Sequence, residues 1–145
     1  MLDRVSIDRK YKELPGEIAL IDKIKNKNIE TFKYNIDIFM LAFDLGIKDG
    51  HRTPLKNKMG FVRDNSIGDS ELYCMKAAIL PDLIEEGMEK EINNTDEIYK
   101  IIEEYANTGF SILDKIISEI DGCEEDTFIY KLIEIMDEEI SNIDL

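Results

Sequence analysis

The chain is 145 residues long with 43% apolar residues, which suits one domain able to bury its own core. Its formal net charge of −14 at pH 7 sets the chain as a whole against non-specific adhesion to nucleic acid. Cys74 and Cys123 belong to no CxxC pair or Cys/His cluster, which excludes the common zinc and redox motifs and leaves two buried or half-buried thiols as the expectation.

In chain order, residues 4–25 mix apolar positions with basic ones, and Pro15-Gly16 breaks the stretch in two. A short helix or extended piece is expected near 7–13 and a short helix near 17–25. Over 29–45, Phe32, Ile36, Phe39, Met40 and Phe43 recur at spacings of three and four, which places them on one helical face. Gly46 follows at once and reads as the left-handed residue that ends the helix.

Residues 46–69, GIKDGHRTPLKNKMGFVRDNSIGD, read as a long loop with one extended piece at Met59–Arg63, and a small two-stranded element fits beside it. A loop this long in a compact domain is either functional or partly disordered. Ser70 suits the cap of a helix running to Leu80, which Pro81 is expected to end, with another turn or two of helix over 82–91. Asn94 with Glu97 resembles a capping box, and the apolar positions from Ile98 to Ile120 keep helical spacing up to Asp121-Gly122. Gly109 interrupts this helix and suggests a close helix approach. A last helix near 125–142, within an acidic C-terminal segment 123–145, presents Phe128, Ile129, Leu132, Ile133, Met136 and Ile140 on one face. The expectation is a mainly all-α fold of five or six helices in a single domain, residues 1–145.

Charge is divided unevenly. Residues 1–68 hold 13 Lys and Arg against 10 Asp and Glu, a balance of +3, whereas residues 69–145 hold 5 against 22, a balance of −17. No nucleophile elbow, phosphate-cradling GxxxxGKS motif or Glu-x-x-His pair occurs. His51 is the one histidine, so a Ser or Cys nucleophile with a His base would have to use it. Runs of acid such as Glu85/Glu86, Glu103/Glu104 and Asp137-Glu138-Glu139 lie opposite apolar stripes and read as solvated faces. No catalytic residue, metal ligand or cofactor is therefore assigned.

The loop carries the sharpest chemistry. Lys48, Arg52, Lys56, Lys58 and Arg63, with His51, the backbone freedom of Gly46 and Gly50 and the Thr53 hydroxyl, form a set that suits phosphate oxygens. The intramolecular alternative is that the loop lies against the acidic C-terminal helices and neutralises part of them. The acidic faces, with Glu103, Glu104, Asp137 and Glu138 as markers, suit a basic protein surface or imitate a nucleic-acid backbone.

At FKYNIDIFMLAFDLGIKDGHRTPL (32–55), ELYCMKAAI (71–79) and EIYKIIEEYANTGFSIL (97–113), the chain resembles a family of small accessory proteins encoded beside bacterial DNA phosphorothioation (dnd-type) modification and restriction systems. The resemblance rests on the aromatic helix running into Leu45-Gly46, on the loop positions Lys48, Gly50, Arg52 and Pro54, and on the Glu-Tyr-Ala-Asn helix with Gly109-Phe110. It covers roughly residues 29–115, short of the acidic tail after Gly122. It implies an accessory role in defence against foreign DNA and transfers no active-site residues.

These readings lead to a non-catalytic accessory or adaptor subunit that binds a protein partner through its acidic helices, with DNA touched directly or through that partner. A small DNA-contacting regulator using the 46–64 loop and an acidic DNA mimic remain as alternatives, and a homodimer is compatible with all three. The first residues, Met1-Leu2-Asp3-Arg4-Val5-Ser6, lack the apolar run of a signal peptide, and no stretch reaches the roughly 20 apolar residues of a membrane span. A cytoplasmic location without membrane contact is the expectation.

Overall fold

The computed structural model describes residues 4–27, 29–119, 130, 133 and 134. Among them the chain forms strand β1 (Arg4–Asp8), helix α1 (Leu20–Asn26), helix α2 (Asn35–Asp49), strand β2 (Lys58–Arg63), helix α3 (Asp69–Glu85) and helix α4 (Thr95–Glu119). Short 3₁₀ turns at Arg9–Tyr11, Glu30–Phe32, Asp64–Ser66 and Glu89–Asn93 join them. The mainly helical architecture with one small sheet is the expected one. The helix expected near 125–142, and with it Cys123, Asp137 and Glu138, lies outside the described residues apart from 130, 133 and 134.

β1 and β2 form an antiparallel pair in which Arg4 faces Arg63 and Asp8 faces Lys58. Val5 pairs with Val62 but Ser6 pairs with Gly60, so Phe61 is an extra residue on β2 and the ladder bulges there. The bulge lets Phe61 and Val62 both turn into the core. The opening segment, expected as a short helix or an extended piece, is a strand followed by a 3₁₀ turn. Its alternation of Val5 and Ile7 is too short to show a period of two.

The core is the meeting of α2 and α4. Ile38, Phe39, Ala42 and Phe43 of α2 pack on Ile98, Ile102, Tyr105, Ala106 and Phe110 of α4, all of them buried. Phe110 is the aromatic hub: Tyr11 stacks on it at 5.5 Å between centroids, Phe61 meets it edge-on at 6.2 Å, and Phe39 lies tilted at 6.4 Å. Burial, reinforced by Asp114 and Asp8, raises the Tyr11 phenol pKa to about 12. α4 is enclosed along its middle, since every residue from Tyr105 to Phe110 is buried.

Two sequence expectations change here. Gly46 does not end α2. The helix continues to Asp49, and Gly50 takes the left-handed C-cap with φ 85°. Gly46 is instead a contact glycine, because a Cβ there would stand 1.8 Å from the Tyr105 carbonyl oxygen. Gly109 answers from α4, where a Cβ would stand 1.6 Å from the Ala42 carbonyl oxygen, which makes concrete the close approach expected there.

Pro81 likewise fails to end α3, which runs through it to Glu85. Proline removes the hydrogen bond to the carbonyl four residues back. That carbonyl belongs to Ala77, and both Ala77 and Pro81 are exposed, so water can satisfy it. Leu83 is fully buried one half-turn later and anchors the distal turns. Cys74, expected to be at least half-buried, is an exposed free thiol on α3. Asn94 does cap α4, with its side chain accepting the Glu97 N–H at 3.4 Å.

Gly46→Ala and Gly109→Ala each force a methyl group into a facing backbone carbonyl. The gain in helix propensity on replacing Gly is only about 1 kcal/mol. The overpacking penalty for a clash of rigid backbone is about 3 kcal/mol or more, so both variants are expected to be strongly destabilised in urea unfolding. Full wild-type stability in either would show that α2 and α4 are not held this close.

Candidate functional site

The segment between α2 and β2 is pinned along the side of α4 by five polar interactions. Thr108 Oγ1 donates to the His51 carbonyl at 2.9 Å, and the Thr53 and Thr108 hydroxyls stand 2.7 Å apart. The Thr53 N–H donates to the Glu104 carbonyl at 3.1 Å. Asn107 Nδ2 donates to the carbonyls of Thr53 and Pro54 at 3.0 and 3.3 Å. Further on, the Lys56 N–H donates to buried Asp8 at 3.2 Å, and the Asn57 carbonyl accepts from Arg9 N–H at 2.8 Å. Residues 50–57 are therefore a fixed strap, and only this part of 46–69 lacks regular structure between α2 and β2.

Its cations are largely spoken for. Arg52 is half-buried between Glu86 Oε1 at 3.5 Å and Glu104 Oε1 at 3.7 Å, which ties the end of α3 to α4. Lys58 Nζ donates to Glu103 Oε1 at 3.1 Å. Lys48 sits in the last turn of α2 within electrostatic reach of Asp44. His51 is exposed and its Nδ1 lies 3.0 Å from Asp49 Oδ2. Lys56 and Arg63 point to solvent. The intramolecular alternative thus describes Arg52 and Lys58, and the sequence-assigned set does not come together as one phosphate site.

Glu103 corrects the expectation of an outer acidic face on α4. It is 1% exposed, and its Oε2 accepts the Ser6 N–H at 2.5 Å while Oε1 takes Lys58. Ser6 borders the bulge, and the carboxylate from α4 satisfies its amide. Glu103 is a structural acid joining β1, β2 and α4, and Glu104 is held by Arg52. The exposed acids of α4 are Asp96, Asp114 and Glu119, and a further acidic group stands at the end of α3. Asp82, Glu85 and Glu86 line a depression of about 430 Å³ with Gly50, His51, Arg52 and Tyr105.

Sequence reasoning missed a second feature of α3. Tyr73, Ala77, Leu80 and Ile84 follow at spacings of four, three and four, and all four are exposed. They form an apolar stripe turned away from the buried Met75, Ile79 and Leu83. The signal was present as two apolar stripes on one helix, but a helix ended at Pro81 hides the second.

Among the described residues no group of His, Cys, Asp and Glu is arranged to hold a metal ion, and no helix is long and apolar enough to cross a membrane. Tyr99 OH donates to Asp64, and burial followed by this carboxylate pushes its pKa up, which makes the pair a structural contact beneath β2.

The family model for DNA sulphur modification system-associated protein 4 matches residues 16–142. The chain belongs to that family. The match reaches past the segment that carries the resemblance in the sequence and takes in the acidic stretch after Gly122. No curated protein matches the chain, and no solved structure does. The strap and the α2–α4 crossing are accordingly features of a protein associated with DNA sulphur modification.

A buried carboxylate that has lost one partner costs several kcal/mol, and an orphaned buried N–H costs about 1–3 kcal/mol. Glu103→Ala is therefore expected to lower unfolding stability by about 2–4 kcal/mol through the Ser6 amide and the sheet. Glu103→Gln keeps an acceptor for Ser6 and should lose about half as much. Equal losses in denaturant titration would mean that charge, not the Ser6 hydrogen bond, holds the strand.

Proposed function

We propose that the protein is a non-catalytic accessory subunit of a DNA sulphur modification system and docks on a protein component of that system through helix α3. The observation that carries this reading is the exposed stripe of Tyr73, Ala77, Leu80 and Ile84 beside the acidic depression of Asp82, Glu85 and Glu86. A helix that offers apolar anchors at spacings of three and four fits a groove on a partner. The acids beside it select a groove with a basic rim, where charge governs orientation and encounter more than final affinity. The excess of acid over base in residues 69–145 extends the same complementarity. Family membership supplies the setting, and the absence of any catalytic constellation in the sequence agrees with an accessory role.

The test is affinity measured by calorimetry against the other purified proteins of the same modification system. Leu80→Asp with Ile84→Asp is expected to weaken binding at least tenfold with an unchanged melting temperature, because both side chains are exposed. Glu85→Lys is expected to slow association several-fold at low salt and to do little at high salt. Unchanged affinity in the double variant would overturn the reading. So would a wild-type homodimer dissociated by the same substitutions, which would assign the stripe to a second copy of the chain.

A further inference from the structure

We infer that a second groove, between α1, the start of α2 and the end of β2, binds single-stranded nucleic acid, with its cations on successive phosphates and Tyr34 stacked against a base. The groove encloses about 580 Å³ between the end of α1, the start of α2 and the outer end of β2, and Lys25, Lys33, Tyr34, Asn35, Arg63 and Ser66 supply its polar lining. Arg63 also lines an adjoining depression with Arg4 and Asn65, while Lys25 and Lys33 line a third with Phe32. The three depressions share their cations and form one track.

Arg4, Lys25, Lys33 and Arg63 are all exposed, and none pairs with a carboxylate among the described residues. That stands out in a chain of net charge −14, where Arg52 and Lys58 are both held by internal acids. The sheet register itself opposes Arg4 to Arg63, a like-charge cross-strand pair that costs stability unless an anion lies over it. Of the acids near the track, Asp64 is engaged by the Tyr99 hydroxyl, Asp37 accepts the Tyr34 N–H, Asp22 acts on Lys25 from a distance, and Glu30 lines the outer depression. Lys25 is held toward the groove by Asn35 Oδ1 at 2.6 Å, and Asn35 is fixed in turn by donating to the Phe61 carbonyl at 3.1 Å. Partial burial, then Lys12, lowers the Lys25 pKa, so an anion in the groove would relieve that ammonium.

Tyr34 decides between kinds of anion. Its side chain is 64% exposed inside this basic lining, although tyrosine rings are usually partly buried. Lys33 Nζ lies over one face of the ring, 5.9 Å from its centroid, which leaves the other face for a base. An aromatic face among cations free of carboxylates is the arrangement by which single strands are held, with bases on the ring and phosphates on Lys and Arg. A duplex keeps its bases stacked on one another and has no use for the ring. An acidic peptide would use the cations but not the stacking face.

Fluorescence anisotropy of the full chain with a labelled single strand of about 12 nucleotides tests the inference. Four phosphate contacts predict a log–log salt slope of about −3, hence a loss of about 50-fold in affinity between about 50 and 200 mM salt. Lys33→Ala with Arg63→Ala is expected to weaken binding at least tenfold and flatten the slope by about 1.4. Tyr34→Ala should weaken binding roughly fivefold or more with the slope unchanged, because stacking is not a counterion effect. Lys56→Ala on the strap should change nothing. All of these side chains are exposed, so melting temperatures should stay near wild type. Absence of binding at low salt, or binding indifferent to Tyr34 and to the paired substitution, would overturn the inference. Equal affinity for polyglutamate would assign the track to an acidic protein surface, and preference for the duplex would remove the role of Tyr34.

Discussion

The closeness of α2 to α4 is the constraint on which the rest of the structure depends. Gly46 and Gly109 each meet a carbonyl of the opposite helix, Tyr105 in one case and Ala42 in the other, so the two backbones touch with no side chain between them. Helix pairs usually stand 8–10 Å apart, with the distance set by the residues at the contact. With glycine on both sides, α4 sinks against α2 until even its Asn107 and Thr108 are enclosed. Their enclosed donors find partners in the carbonyls of residues 51, 53 and 54, while Asn107 Oδ1 is left without one among the described residues. The strap is ordered because the helices are close.

The same depth explains the fate of the charges. Glu103 projects from the enclosed part of α4 and would be untenable without a donor, and Ser6 N–H and Lys58 provide two. Arg52 then bridges Glu86 and Glu104 at the rim. Arg52 and Lys58 are drawn into structural pairs with α4, while the cations at the end of the sheet and at the start of α2 are left to solvent. The charge split seen along the sequence is thus re-sorted in space into a neutralised middle, an acidic α3 side and a basic N-terminal side.

Much of the fold was legible. Phe39 and Phe43 declared α2, Ile98 to Ile117 declared α4, and Met59–Arg63 stood out as extended. What failed did so for physical reasons. A glycine after an apolar run looks the same whether it caps a helix or admits a neighbouring one, so Gly46 was assigned the role that Gly50 holds. Pro81 breaks helices in general but is tolerated where the freed carbonyl is wet. Glu103 sits beside Glu104 in a run that resembles a solvated face, and only a helix enclosed on nearly all sides turns it inward. Of the basic track, Arg63 alone was singled out. Arg4, Lys25 and Lys33 come from three other segments, and nothing local marks them as neighbours until β1 pairs with β2. Asp137 and Glu138 fall outside the described residues.

The bond between Ser6 and Glu103 joins residues 97 apart in the chain. Closing a loop of that length costs about 4 kcal/mol in chain entropy before any contact repays it. β1 also pairs only with β2, some fifty residues further along. In chain order, β2 supplies the ladder partner of β1 first, and Glu103, the acceptor for Ser6, follows only with α4. β1 therefore closes two long loops of the chain, one to β2 and one to α4. The N-terminal strand is in this sense a latch, fastened to β2 along its length and to α4 at Ser6.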